Sequence, residues 1–174
     1  MPDPTFQGRV ILHPDYRSIN TVYPEVKTYT AAFKQYWQYG FHPLIGKDGV
    51  LPVPEIYSGS AIGRAHVEPL VKDPKSYSSS EECWMAWRTP LIVDVDPVVP
   101  TSNTFLMYCV NSQRDACLIG YIDGGDRSAH DLINQVSYRT EMKRRADKFY
   151  SLVPRTEPMP VEEHEHLFSE KWLR

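Results

Sequence analysis

Apolar positions bunch most tightly between Thr104 and Tyr150. Residues 104–110 and 116–122 are the most apolar runs of the chain. The polar insert 111–115 between them has hairpin-loop length, so two paired strands are predicted. The Gly-Gly pair inside residues 123–126 ends the second strand. Ser128, followed three residues on by Asp131, stands where a capping box belongs. Leu132, Ile133, Val136, Met142, Ala146, Phe149 and Tyr150 then recur at helical spacing. They predict one long amphipathic helix that lies on the hairpin and stops before Pro154.

The pattern is weaker elsewhere. Residues 7–13 read as a first strand, and 14–27, with Pro14, Asn20 and Pro24, as loop. Residues 28–39 read as a helix, with Ala31, Ala32, Tyr36 and Tyr39 on one face, Phe33 and Trp37 beside them, and Gly40 as its C-terminal cap. The stretch 41–49 holds too much Gly and Pro for regular structure, and 50–60 also reads as loop. Residues 61–68 alternate as a strand, which puts Arg64, His66 and Glu68 on one face and Ala65 and Val67 on the other. Such a polar face is either the floor of a site or the solvated side of an edge strand. An insertion over about 70–100 then holds a polar loop at 72–80, a helical turn at 81–88 anchored by Trp84 and Trp87, and a short strand at 91–96. This order predicts an α+β domain over residues 1–154, a small and mainly antiparallel sheet with helices packed on one face. Residues 155–174 read as an acidic tail. In it 156–160 is a linker, and Leu167, Phe168, Trp172 and Leu173 could form a docking turn.

Length and composition change this picture little. The 174 residues suit one domain with its own core. The apolar runs fall well short of the roughly 20 residues a membrane span needs. No basic and apolar leader opens the chain. Cys83, Cys109 and Cys117 form no metal-type pair, and the latter two sit in apolar runs as buried thiols. A cytoplasmic protein without a membrane partner is expected.

Charge changes it more. The net charge is −3, yet residues 127–155 carry seven cations against three acids. Arg139, Lys143, Arg144, Arg145 and Lys148 lie on the predicted helix, off its apolar stripe. This is either a solvated helix face or a positive face that meets an anion such as RNA. Arg144 and Lys148, four apart, share a side. The tail segment 162–166 offers His164 and His166 two apart, unlike a helical zinc pair, so no metal or other cofactor is expected. A sharper possibility is that the acidic tail folds onto the basic helix.

Several blocks resemble, in order, the YafO family of bacterial type II toxins. They are Phe33-Lys-Gln-Tyr36 with Gly40, Pro43 and Gly46-Lys-Asp48, then Ala65-His66-Val67, then Leu106-Met-Tyr-Cys109 and the strand from Ala116. His130, Ala146 and Phe149 complete the set, which spans residues 28–150. The chain departs from the family in its extra residues before 28, over about 70–100 and after 154. The Gly-Lys-Asp block also lies one residue closer to its Pro. The resemblance implies a RelE-like toxin architecture and a metal-independent endoribonuclease that cuts ribosome-bound mRNA and so inhibits translation. Its partners would be the ribosome, mRNA and a cognate antitoxin. In this chemistry a 2′-OH attacks the adjacent phosphate, leaving a 2′,3′-cyclic phosphate. It calls for a base, an acid and cations on the phosphate.

Histidine suits acid–base work near neutral pH, and the arginine fork suits phosphate. His66, Arg64 and His130 are therefore the candidate catalytic residues. Lys47, Arg139, Lys143, Arg144, Lys148 and Tyr108 are candidates for RNA or ribosome contact, Tyr108 by stacking on a base or, alternatively, as core. His66 could instead be bonded to a neighbouring loop, and His130 could serve to cap or pack its helix. A non-catalytic toxin of the same fold that inhibits a protein target such as DNA gyrase, or an adaptor, is the competing expectation.

Overall fold

The computed structural model describes residues 5–52, 54–70, 77–89, 98–125 and 129–174. The predicted strand at 91–96, the cap at Ser128 and part of the 72–80 loop lie outside them.

The hairpin forms at the centre of the molecule. Strands β4 (Phe105–Val110) and β5 (Ala116–Ile122) pair antiparallel around the 111–115 loop. Asn111 shapes that loop, because its Oδ1 accepts from the N–H groups of Gln113 and Asp115. Strand β3 (Ile62–Val67) pairs antiparallel with β4, and β2 (Ile45–Val50) with β3. Strand β1 (Val10–Leu12) adds parallel to β5, giving a five-stranded mixed sheet in the order β1-β5-β4-β3-β2. The fold is thus α+β with a mainly antiparallel sheet.

Helices cover both faces of this sheet rather than one. Helices α1 (Pro14–Val22) and α2 (Pro24–Tyr39) bury Tyr16, Val26, Tyr29, Phe33 and Trp37 against Ala65, Val67, Leu106 and Tyr108. On the other face α3 (Glu55–Ser58), α5 (Ala129–Asn134) and α6 (Val136–Leu152) bury Tyr57, Ile133, Met142, Ala146 and Phe149 against Ile62, Phe105, Met107 and Cys109. Each large side chain so buried contributes roughly 1.5–3 kcal/mol. The strands between the two layers are apolar on both sides, which is why β4 and β5 read as continuous runs.

Several expectations need correction. The 14–27 loop is almost wholly helical, since Pro14 and Pro24 each open a helix at its first position, where a missing N–H costs nothing. His13 caps α1 by accepting the Asp15 N–H. In α2 Ala31 and Tyr39 face solvent instead of the core. Gly40 ends it as expected, in the left-handed conformation at φ 79°. The Gly-Lys-Asp block lies in strand β2, not in a loop, and residues 55–58 make a helical turn. The long helix is broken at Gln135, whose ψ of 134° is extended. The Tyr57 hydroxyl takes the Ile133 carbonyl at 2.6 Å, and the restarted helix leaves Val136 69% exposed.

The tail does not lie on the basic helix. Met159 and Leu167 enter the core on the α2 side, and the 156–160 segment bonds to the hairpin loop through Ser112 and Val110. Its two 3-10 turns, Val161–His166 and Glu170–Trp172, lead to a bridge between Leu173 and Phe6. Arg114 clamps this corner. It sits at φ 63° with no solvent exposure, and its guanidinium bonds the carbonyls of Gln7, Trp37 and Leu167. The rings of Trp37, Phe168 and Phe6 surround it at 4.4, 4.8 and 5.1 Å.

Among the described residues no helix is long and apolar enough to cross a membrane.

Candidate functional site

Strand alternation turns Arg64 and His66 to the α5–α6 side of β3, away from Ala65 and Val67. His66 is paired across the sheet with Phe105, and their rings meet edge-on at 4.6 Å. The Arg64 guanidinium lies 4.9 Å over the same Phe105 ring. His130, in the first turn of α5, meets that ring edge-on at 5.7 Å, and Arg64 Nη1 approaches its Nδ1 at 3.5 Å. Arg64, His66 and His130 thus converge on one phenyl ring, though Arg64 and His130 are 66 residues apart in the chain.

A cleft of about 280 Å³ opens beside them, lined by Arg64, His66, Lys47, Asp48 and residues 49–52. Lys47 reaches it because β2 is bulged. Ile45 pairs with Val67 and Asp48 with Ala65, so Gly46 and Lys47 together oppose His66. Without that extra residue Lys47 would share the face of Ile45. Gly46 fits the bulge because a Cβ there would lie 2.3 Å from the Pro100 carbonyl oxygen and 2.8 Å from Trp84.

The two histidines differ. His66 is 3% exposed and its Nδ1 lies 2.7 Å from the Ser102 carbonyl and 3.0 Å from the Ser102 N–H. Nδ1 is engaged there in either tautomer, so Nε2 is the nitrogen that can address the cleft. Ser102 is itself held, through Oγ, to the carbonyls of Val67 and Thr104. The adjoining Thr101 is tied to Ser79 and Trp84, at the start of and inside α4 (Glu81–Arg88). The insertion thereby anchors the loop that holds His66. Burial pushes His66 down to about 4, opposed by the Ser102 contact and reinforced by Arg64, His130 and Lys47. His130 is exposed, and is lowered first by its partial burial and then by Arg64. Burial also lowers Arg64. Asp48 turns to the opposite side, where its Oδ2 accepts from the Tyr36 hydroxyl at 2.9 Å and burial raises it to about 6.

The remaining predicted residues lie outside this cleft. Tyr108 has no exposure and is packed among Phe33 and Trp37, so it cannot stack on a base; it belongs to the core. Glu68 pairs with Arg88 rather than lining the cleft. On α6, Arg144 pairs with Glu141 and Asp15, and Lys143 with Asp147. Arg145 donates to Glu141 and to the Ile119 carbonyl, at a bulge in β5. Arg139 is half-buried and Lys148 exposed. Much of this positive face is therefore neutralised within the protein. Among the described residues no group of three or more His, Cys, Asp or Glu is placed to hold a metal ion.

Phe105 and Ser102 were missed by the sequence reading. Phe105 follows once β3 and β4 are paired in register. Ser102 has no local signal, since it reaches His66 across 36 residues. No family model, curated protein or solved structure matches the chain.

Proposed function

We propose that this protein is a metal-independent endoribonuclease of the toxin type, acting on ribosome-bound mRNA. The observation that carries the reading is the convergence of Arg64, His66 and His130 on Phe105 beside the Lys47 cleft. One imidazole and two cations line the cleft and a second imidazole lies against Arg64 beside it, and these are the groups that intramolecular phosphodiester cleavage needs. His66, neutral at pH 7, takes the 2′-OH proton on Nε2 as the 2′-oxygen attacks phosphorus. Arg64 and Lys47 hold the non-bridging oxygens, and His130, protonated once the anionic phosphodiester is bound, gives its own proton to the departing 5′-oxygen, while His66 keeps the 2′-OH proton until solvent removes it. The bound phosphodiester offsets the repulsion that Arg64 exerts on both rings and Lys47 on His66, which favours their charged forms as the reaction proceeds. A cognate antitoxin would cover this cleft, and the cations of α6 left exposed would rest on ribosomal RNA.

The test is mRNA cleavage in a purified translation system, mapped by primer extension with and without ribosomes. Wild type should cut only with ribosomes. Arg64→Ala and His66→Gln, checked as folded by circular dichroism, should each lose about a hundredfold or more, since acid–base groups are typically worth 10²–10⁴. Growth arrest by a folded wild-type protein that cuts no RNA would reject the nuclease and favour an inhibitor of a protein target.

A further inference from the structure

The cationic cleft does not end at β2. A second cleft, of about 330 Å³, lies on the far side of that strand beneath the turn Val161–His166. Asp48 and Gly49 line both, so the two clefts meet across the edge of the sheet. Gly49 leaves the junction open, because a Cβ built there meets nothing within 4 Å.

The chemistry of the two halves is opposite. Lys47 and Arg64 line the first, whereas the second adds Glu165 and His164 to the shared Asp48 and, among the described residues, is lined by no lysine or arginine. Tyr36 and Phe168 form an aromatic wall there, with ring centroids 4.8 Å apart. At its margin the Asp48 carboxylate is held by the hydroxyls of Tyr36 and Tyr108, and among the described residues the buried Ser169 Oγ has no hydrogen-bond partner. Such a surface repels phosphate and accepts a flat, neutral group rich in N–H donors.

We propose that this second cleft is a nucleobase subsite of the same groove and that it selects guanine. The inference rests on reading the first cleft as a phosphodiester site. Single-stranded RNA is recognised by bases splayed against aromatic side chains and read on their Watson–Crick edges. Guanine alone presents two adjacent donors on that edge, N1–H and N2–H₂, matching the two oxygens of one carboxylate. Adenine and cytosine set an acceptor beside their donor, and uracil flanks its single N–H with carbonyls. Glu165, exposed in the cleft, is the reader.

The test is titration of the isotope-labelled full chain with the four nucleoside 3′-monophosphates, followed by amide chemical shifts. Guanosine 3′-monophosphate should move Gly49, Glu165 and Ser169 together with Lys47 and Arg64. It should bind about tenfold or more tighter than the uridine nucleotide, the discrimination expected of a bidentate contact. Glu165→Gln should abolish that advantage. Gly49→Val, whose Cβ meets nothing within 4 Å and whose methyl groups fill the junction, should abolish it while inorganic phosphate still moves Arg64. Equal affinity for all four nucleotides, or tighter binding of N-acetylarginine amide at Glu165, would overturn the proposal, the latter by assigning the cleft to a basic peptide. Failure of the underlying reading looks different: inorganic phosphate and every nucleotide would then leave Lys47 and Arg64 unmoved.

Discussion

Mild acid should destabilise this protein through His66. The ring is 3% exposed and titrates near 4 in the folded state, against an ordinary value near 6.5 once the chain unfolds. Between those values the unfolded chain binds more protons than the folded one, so stability is complete above about pH 6.5 and falls as pH drops toward about 4. At roughly 1.4 kcal/mol per pH unit the full loss is about 3 kcal/mol, of which about 2 kcal/mol is gone at about pH 5. That is a large share of a typical 5–15 kcal/mol. Urea unfolding followed by tryptophan fluorescence, at about pH 7.5 and about pH 5, measures it. His13, His42 and His130 are also lowered and contribute to the slope. They are common to wild type and His66→Gln, so the difference isolates His66. Wild type should lose about 2 kcal/mol more than the variant over this interval. Equal losses would refute the argument that burial against Phe105 and the Ser102 loop holds this ring neutral.

Two further outcomes follow from packing. Gly46→Ala drives a Cβ into the Pro100 carbonyl and Trp84, so thermal denaturation should show a loss of about 1–3 kcal/mol, and Lys47 should leave the cleft. Arg114→Met fills similar space but leaves the carbonyls of Gln7, Trp37 and Leu167 without their donor. Urea unfolding should register about 3 kcal/mol or more, and proteolysis should open residues 155–174 first.

The hairpin, the faces of β3 and the Gly40 cap were legible because each rests on a local rule: alternation, loop length, a left-handed cap. Pro14 and Pro24 misled because proline breaks a helix interior yet suits a helix start, and only the tertiary packing of Tyr16 and Val26 decides between the two. The break at Gln135 was hidden for a similar reason, since the group competing for the Ile133 carbonyl comes from Tyr57, 76 residues away. Arg64 and His66 could be placed side by side from the sequence, but their meeting with His130 could not. It depends on Phe105 and on where α5 docks. Lys47 was singled out, yet its route into the cleft is a bulge of one residue, and no periodicity foretells that.

The corner held by Arg114 also sets a schedule. The backbone near Phe6 is bonded to residues 172–174, and Arg114 joins the carbonyls of Gln7 and Leu167. At roughly 5–20 residues per second of synthesis, the first of these segments waits on the order of ten seconds for the last. Throughout that interval Trp37 and Phe33 lack part of their cover, and the groove lacks the wall that carries Glu165. A nascent chain therefore has no finished groove until its last residues have left the ribosome.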